Sequence, residues 1–263
     1  MANGNYVIEQ FEAFAPKKFA LDGDPIGLQI GTLNKEVKRV LVTLDVLESV
    51  VDEAIEKKAD LIIAHHPPIF SKLANVTDRS ATGRIVSKCI KHDIAVYAAH
   101  TNLDVTPGGV NDWMAEALGL ESYEVLAPTF ENTQYKLSVF VPTEAVERVS
   151  TALAQAGAGK DGDYSDCQFH VNGTGQFRPS TDATPYIGEV GQLERVSEVR
   201  IETIVTELNQ KQVIRAMKQA HPYEEVAYDL IRQERPAAPL GLGRIGRLPE
   251  AMTLRAFAEH VRN

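Results

Sequence analysis

The chain has 263 residues, of which 44% are hydrophobic and 24% charged, and its formal net charge is −9. This length and composition are typical of a soluble globular protein with one large domain or two modest ones. The acidic balance argues against a protein that binds nucleic acid through its overall charge.

The cysteine count and the N-terminal sequence indicate the compartment. Cys89 and Cys167 are the only cysteines and lie far apart, so we expect a reducing environment and no disulfide framework. No apolar run approaches the length of a membrane span, and the first residues lack the basic and apolar regions of a signal peptide. The sequence therefore predicts a cytoplasmic protein with no membrane partner.

Strands alternate with helices in the first half of the chain. The predicted elements, in order, are a helix over 6–15, a turn-rich loop over 22–31 that leads into a short strand, a strand over 37–44, a helix over 47–58, a strand over 61–64, a helix over 79–92, a strand over 94–99 and a helix over 111–118. Trp113, in the last of these helices, is expected in the core. The alternation is typical of a parallel sheet with right-handed crossovers.

Two of these strands end in residues that commonly bind metals. His65 and His66 directly follow one strand, His100 follows the next, and Asp104 comes four residues later. Parallel strands bring their carboxyl ends to one edge of a sheet, and ligands of open α/β sheets bind there. Imidazole and carboxylate together suit zinc, iron, manganese or nickel. The sequence therefore predicts a metal site of His65, His66 and Asp104.

Two further residues at this edge have roles that the sequence leaves open. His100 is either another metal ligand or a group that supports the ligands or contacts the substrate. Asp45 ends the first strand, and it either supports the metal ligands or caps the following helix. Adjacent strand residues point to opposite faces, so His65 and His66 share one metal only if the prolines after them end the strand. Otherwise they serve two metals that lie side by side.

The pattern changes after residue 127. The predicted elements are a strand over 134–141, a helix over 143–156, a strand over 164–171, a glycine-rich hairpin region over 172–191, a strand over 198–206, a helix over 211–220 and a strand over 225–231. The order strand-helix-strand-strand-helix-strand is that of a ferredoxin-like unit. A proline-rich linker over 235–239 follows, and then a strand over 241–248 and a helix over 253–261 resume the first pattern.

These patterns predict an α/β fold with a layered, parallel-sheet core into which a ferredoxin-like α+β domain is inserted. We expect residues 1–127 to form the first half of the metal-binding core and 128–235 to form the inserted domain. Residues 236–263 are expected to begin a second half of the core that is left incomplete.

The segment His221-Pro222-Tyr223-Glu224-Glu225 is a second candidate site, because it combines a histidine with two carboxylates. It lies between a helix and a strand of the inserted domain. A loop at a subunit or domain contact explains it as well as a metal site does, and the sequence alone leaves both interpretations open.

Three long motifs in the chain resemble those of a known family. They are A-H-H-P-P-I-F at 64–70, H-T-N-L-D-V-T-P-G-G-V-N-D-W at 100–113 and H-P-Y-E-E-V-A-Y-D-L at 221–230. Together they resemble the NGG-interacting factor three-like proteins, also called GTP cyclohydrolase I type 2 homologues. The segments G-A-G-K-D-G-D-Y-S-D-C-Q-F at 157–169 and G-T-G-Q-F-R-P at 173–179 look like the inserted domain of the longer bacterial members.

The resemblance implies a dinuclear centre of divalent metal ions (zinc, iron or manganese), a toroidal homohexamer and a PII/CutA-like inserted domain. It implies that His65, His66 and Asp104 bind metal, with the two histidines each serving one ion. The family completes this site with a histidine and a glutamate near its C-terminus. Glu259 and His260 belong to the right chemical class but lie in the wrong place. We therefore expect a C-terminally truncated member.

Two functions are compatible with these features. The first is a metal-dependent hydrolase in which an activated water attacks a small, nucleotide-like substrate, with opening of the guanine ring of GTP implied by the resemblance. The sequence contains neither a P-loop nor an N-K-x-D motif, so the substrate is implied by the resemblance alone. The alternative is a non-catalytic, metal-binding regulatory oligomer whose inserted domain senses a ligand.

Overall fold

The computed structural model describes residues 2–235 and 237–262 and shows a mixed α/β fold, as predicted. The chain divides into two compact units, which we call the core unit (Met1–Phe130 with Leu240–Asn263) and the inserted unit (Glu131–Pro239). The sequence placed the divisions at 127/128 and 235/236, and the independence of these segments as domains stays a prediction. Pro236, in the predicted linker, lies outside the described residues. No helix in the described ranges is both long and apolar enough to cross a membrane.

The strands and helices follow the predicted order with shifted ends. The core unit begins with β1 (Ala2–Asn3), α1 (Gly4–Phe14), β2 (Gly27–Ile30), β3 (Glu36–Val37), β4 (Val40–Thr43), α2 (Glu48–Glu56), β5 (Leu61–Ala64), α3 (Ala81–Lys91), β6 (Ala95–Ala98), α4 (Thr101–Val105), α5 (Val110–Ala117) and β7 (Glu121–Phe130). The inserted unit contains β8 (Gln134–Pro142), α6 (Val146–Gln155), β9 (Gln168–Phe177), β10 (Glu194–Thr206), α7 (Gln210–Ala220) and β11 (Tyr228–Arg232). The chain returns to the core unit with β12 (Leu240–Arg247) and α8 (Leu254–Arg262).

A four-stranded sheet in the order β2-β6-β5-β4 forms the centre of the core unit. The three strands β4, β5 and β6 are parallel, as predicted, whereas β2 is antiparallel to β6. Thr43, Ala64 and Ala98 are register partners at the carboxyl ends of the parallel strands. Gly27, at the start of β2, pairs with Ala98. The start of β2 therefore lies at the same edge as the ends of its three neighbours.

Hydrophobic clusters pack against both faces of this sheet. Successive strand residues point to opposite faces, so Ile62 and Val96 belong to one cluster, and Leu61 and Tyr97 to the other. The first cluster includes buried residues of α2 and α3, and the second includes Ile8 of α1. Each fully buried aliphatic side chain contributes about 1.5–3 kcal/mol. Packing on both faces therefore stabilises the sheet, and the residues that directly follow its strands start from fixed positions.

Side-chain hydrogen bonds to the backbone move two of the predicted boundaries. The expected strand over 37–44 is divided between β3 and β4, because Asp60 Oδ2 accepts hydrogen bonds from the N–H groups of Lys38 (2.8 Å) and Arg39 (2.9 Å). Helix α3 begins after Ser80, whose Oγ accepts a hydrogen bond from the N–H of Gly83 at 3.0 Å. Such a cap satisfies one of the unpaired N–H groups at a helix start.

The strand expected over 241–248 pairs in a way that the sequence did not indicate. It is β12, which forms a separate two-stranded antiparallel sheet with β7. Strand β7 continues past residue 127, after which the sequence pattern changes, and Pro128 is accommodated at a register shift opposite Gly241. A Cβ atom on Gly241 would lie 2.0 Å from the carbonyl oxygen of Ala127, so this close approach requires glycine.

The prediction that Trp113 lies in the core is wrong, because the residue is 68% exposed. Helix α5 buries Ala115 instead. Residues two positions apart do not share a helix face, so a helix that faces the core with Ala115 turns Trp113 towards solvent.

The inserted unit is a four-stranded antiparallel sheet in the order β11-β8-β10-β9. With helices α6 and α7 between its strands, it has the ferredoxin-like order of elements that the sequence predicted. Leu137 and Ile201 of the sheet pack with Leu153 of α6 and Met217 of α7, all fully buried. Strand β9 runs six residues beyond the predicted end at 171 and into the expected hairpin region.

Candidate metal centre

His65, His66 and His100 meet at the carboxyl edge of the core sheet. Ala64 and Ala98, which precede them, are register partners on adjacent parallel strands. The ring centroids of His65 and His66 are 4.9 Å apart, and those of His100 lie 5.2 and 5.6 Å from them. One ligand atom from each ring lies within 4.8 Å of the others, so the three histidines can hold a metal ion. Within residues 2–235 and 237–262, no other group of this kind was found.

The Nδ1 atoms of His65 and His66 are both engaged by oxygen acceptors. His65 Nδ1 donates to the carbonyl oxygen of Ala99 at 3.0 Å, and His66 Nδ1 lies 2.7 Å from Oδ1 of Asp45. Because carbonyl and carboxylate oxygens only accept hydrogen bonds, the proton of each neutral ring lies on Nδ1 and the lone pair on Nε2. Metal-binding histidines in proteins are oriented in this way. Asp45 thus contacts His66 and does not cap α2, whose N-cap is Leu47.

His100 is anchored in the same manner by a more enclosed carboxylate. Asp24 Oδ1 lies 2.9 Å from His100 Nδ1, and the Asp24 side chain is 4% exposed. Asp24 Oδ2 accepts hydrogen bonds from the backbone N–H of Thr101 at 3.0 Å and from its hydroxyl group. Burial raises the pKa of Asp24, but the hydrogen bonds from Thr101 and His100 outweigh burial and hold that pKa below its usual range. Asp24 therefore remains an ionised acceptor for His100.

The direction of β2 explains how Asp24 reaches the site. Gly27 pairs with Ala98, so the loop before β2 lies beside the end of β6. The sequence pattern did not indicate a role for Asp24 or Thr101. Parallel strands bring to this edge only the residues that follow them, and Asp24 precedes a strand. Recognition of an antiparallel pairing of β2 would have been the signal needed to find it.

Asp104 lies beside His65, in the short helix α4. Its Oδ1 atom is 3.6 Å from His65 Nε2, and its side chain is 17% exposed. Burial raises the pKa of Asp104 above its usual value, although the nearby His65 and His100 act in the opposite direction. The structure thus brings Asp104 next to the three histidines, as the strand-end argument predicted. A role for it in metal binding stays a prediction.

The segment 221–225 is engaged in local hydrogen bonds instead of forming a second metal site. His221 Nε2 donates to the carbonyl oxygen of Phe140 at 2.9 Å, and His221 Nδ1 accepts from the N–H of Tyr223 at 3.1 Å. Glu224 Oε1 accepts from the N–H of Thr184 at 2.9 Å. Both ring nitrogens of His221 are used, so the imidazole has no free lone pair for a metal.

Known proteins resemble the whole of the chain. The sequence model of the family described as Duf34/NIF3 (NGG1p interacting factor 3) matches residues 2–263. The GTP cyclohydrolase 1 type 2 homolog of Bacillus subtilis (strain 168) is 58% identical over 261 residues, which cover 99% of this chain and 70% of that protein. The protein of the same name from Halalkalibacterium halodurans is 55% identical over 262 residues, covering 100% of this chain and 70% of the relative.

Solved structures show the same likeness. The crystal structure of a Bacillus cereus protein related to NIF3 has a TM-score of 0.86 and 56% sequence identity, and the match covers 99% of this chain and 70% of that one. A crystal structure of a Staphylococcus aureus protein has a TM-score of 0.60 and 30% identity, with 99% and 68% of the two chains covered.

Proposed function

Because the chain belongs to the Duf34/NIF3 family, we propose that it is a metal-dependent, hydrolase-like protein with its site at His65, His66 and Asp104. The observation that carries this proposal is the common arrangement of the three histidines. Each has Nδ1 bound to an oxygen acceptor, and the three rings present ligand atoms within 4.8 Å of one another. This donor set fits divalent zinc, iron or manganese.

In this proposal the site holds two divalent ions, with His65 and His66 each serving one. A bound divalent cation lowers the pKa of a water molecule and supplies a nucleophile for hydrolysis near neutral pH. Asp24 and Asp45 fix the rings of His100 and His66, so these rings lose little freedom when they bind. Asp104 adds a carboxylate beside His65, and His100 supplies a further nitrogen for a metal or the substrate.

We propose a purine nucleotide such as GTP as the substrate, with opening of its guanine ring as the reaction. The relatives from Bacillus subtilis and Halalkalibacterium halodurans are named GTP cyclohydrolase 1 type 2 homolog. Ring opening of this kind is a hydrolysis, which needs an activated water. We also propose a homohexamer, which the resemblance of the sequence motifs to the family implies, and a cytoplasmic location, which the sequence predicts. Light scattering coupled to gel filtration tests the oligomer, and a monomer would contradict it.

The alternative function is a non-catalytic, metal-binding regulator. A cavity of about 810 Å³ favours it, because every residue that lines this cavity belongs to the inserted unit. A protein of this kind would bind metal at the histidines and a separate small molecule in the inserted unit.

Metal content and GTP turnover, measured on the same preparations, distinguish these functions. We expect wild-type protein to carry zinc, iron or manganese and to consume GTP, and His65→Ala to lose both properties. His92→Ala is the matched control, because His92 is an exposed histidine at the end of α3, outside the cluster. Bound metal without nucleotide consumption supports the regulator. Wild-type protein that binds no divalent metal contradicts both functions.

A further inference from the structure

A cavity of about 810 Å³ lies on the face of the inserted sheet that α6 and α7 leave uncovered. Phe140 of β8, together with Glu198 and Arg200 of β10, lines the cavity, whereas the strand neighbours Val139 and Val199 belong to the core beneath the helices. Cavities that bind small molecules commonly have volumes of about 300–1,000 Å³. The size therefore suits a metabolite-sized ligand.

Aromatic rings form one corner of this cavity. The ring centroid of Tyr223 lies 6.0 Å from that of Phe177 and 6.1 Å from that of Tyr186, with interplanar angles of 64° and 53°. Phe140 is a fourth aromatic residue of the lining. Rings inclined in this way present their negative faces in several directions, and such faces attract cations. The corner is thus suited to a cation that also has an apolar surface.

Carboxylates lie beside these rings. Glu198, Glu224 and Glu225 all line the cavity. Glu198 Oε1 accepts a hydrogen bond from the Tyr223 hydroxyl group at 2.9 Å, which ties the carboxylate to the aromatic corner. The other Glu198 oxygen lies against the backbone of Gly175, where an added Cβ atom would approach within 2.2 Å of it. The glycine therefore leaves the space that this carboxylate occupies.

The two arginines of the lining are bound to other groups. Arg200 Nε lies 3.1 Å from a carboxylate oxygen of Glu202, which is not part of the lining. Arg178 Nη1 donates to the carbonyl oxygen of Gly191 at 2.5 Å. Because Glu202 balances the charge of Arg200, the three carboxylates of the lining face only one further arginine charge, that of Arg178, and the lining favours a positive ligand over a negative one.

We propose that this cavity binds a small organic cation, either a quaternary ammonium or a protonated amine with an apolar body. The aromatic corner of Phe177, Tyr186 and Tyr223 contacts the charged head, and Glu198 supplies the counter-charge. Recognition of quaternary ammonium groups by clustered aromatic rings is a known use of cation–π attraction. The site is separate from the histidine cluster and does not depend on metal.

Choline and its neutral analogue 3,3-dimethylbutan-1-ol test the proposal on the full chain. The two molecules have nearly the same shape and differ in charge. We expect choline to bind roughly fivefold more tightly than the alcohol, as measured by ligand-observed NMR titration. The proposal is wrong if choline does not bind at millimolar concentration, if the alcohol binds equally well, or if benzoate, an anion, binds better than either.

Variants then locate the site. We expect Glu198→Gln, which keeps an acceptor for Tyr223, to weaken choline binding roughly fivefold, and Tyr186→Leu to weaken it similarly. Tyr186 is 54% exposed, so its replacement leaves the core intact. Glu147→Gln on α6 is the control, because it removes the same charge as Glu198→Gln at an exposed residue outside the cavity lining. Equal affinities in all three variants would overturn the assignment, with circular dichroism confirming that each variant is folded.

Discussion

Asp24 and His100 are 76 positions apart in the sequence, yet Asp24 Oδ1 lies 2.9 Å from His100 Nδ1. The Asp24 side chain is 4% exposed, and its other oxygen is held by two donors of Thr101. If the Asp24 carboxylate were removed, a water molecule would have little room to replace it. The orientation of His100 therefore depends on this carboxylate more than the orientation of His66 depends on Asp45, whose side chain is 50% exposed.

Asp24→Asn is expected to weaken divalent metal binding about 10- to 100-fold. The amide can still accept a hydrogen bond from His100, but its NH₂ group then faces the two donors of Thr101. Calorimetric titration with zinc measures the affinity. Asp22→Asn is the control, because Asp22 is an exposed residue of the same loop. Equal affinities for the two variants would show that Asp24 does not position the site.

Asp45→Ala is expected to weaken metal binding less than about tenfold, because water can accept the hydrogen bond of the half-exposed His66. The same zinc titration provides the comparison. A loss as large as that of Asp24→Asn would contradict the argument from exposure.

Protection of the inserted unit from hydrogen exchange should decrease as pH falls below about 6.5 through the titration of His221. Burial lowers the pKa of His221 below its ordinary value of 6.5, although a hydrogen bond to Phe140 and the charge of Glu198 raise it and Arg148 lowers it further. The unfolded chain therefore takes up a proton at a higher pH than the folded one. The contribution of the neutral His221 to the stability of the inserted unit is complete above the ordinary pKa. It is lost as the pH falls through the lower pKa that His221 has in the folded state.

His221→Gln isolates this effect. The variant lacks the titrating ring, so its difference in protection from wild type should shrink on going from pH 7 to pH 5. Exchange of the amides of β8 and β10, followed by mass spectrometry, is the measurement. His170→Gln, at an exposed histidine, is the control. A difference that does not vary with pH would refute the prediction.

Arg244→Met is expected to lower the free energy of unfolding of the core unit by about 3 kcal/mol. The side chains of Arg244 and Asp112 form an ion pair and are 6% and 13% exposed, so removal of the arginine leaves an enclosed carboxylate without its counter-charge. Denaturant unfolding followed by the fluorescence of Trp113, the only tryptophan, reports on this unit. Arg247→Met, at an exposed arginine of the same strand, should cost far less. Addition of Asp112→Asn to Arg244→Met should recover part of the loss.

The positions of the histidines after predicted strands were enough to predict from the sequence that they lie close together. Apolar runs identify buried strands, and parallel strands place the residues that follow them at one edge. His65 and His100 meet for this reason, and Asp104 follows in the next turn of chain. Asp24 could not be predicted in this way, because the sequence of the short β2 does not indicate which strand it pairs with or in which direction.

Other differences also arise from contacts that local patterns do not contain. The break between β3 and β4 depends on Asp60, a residue some twenty positions away in the chain. The hydrophobic side chain of Trp113 suggested a core position, but α5 buries the face that carries Ala115 and leaves Trp113 exposed. The predicted boundary at 127/128 falls inside β7, because a register shift admits Pro128 into the strand.

The antiparallel direction of β2 has a consequence for the order of folding. Asp24 and His100 can meet only after a loop of more than seventy residues has closed, and closure of such a loop is entropically costly until β2 has docked on β6. A refolding chain that had already formed β4, β5 and β6 would display His65 and His66 at a shared edge with His100 still unanchored. High-affinity metal uptake should therefore be among the last events of refolding, and a metal added to refolding protein would report the moment at which the N-terminal segment closes the sheet.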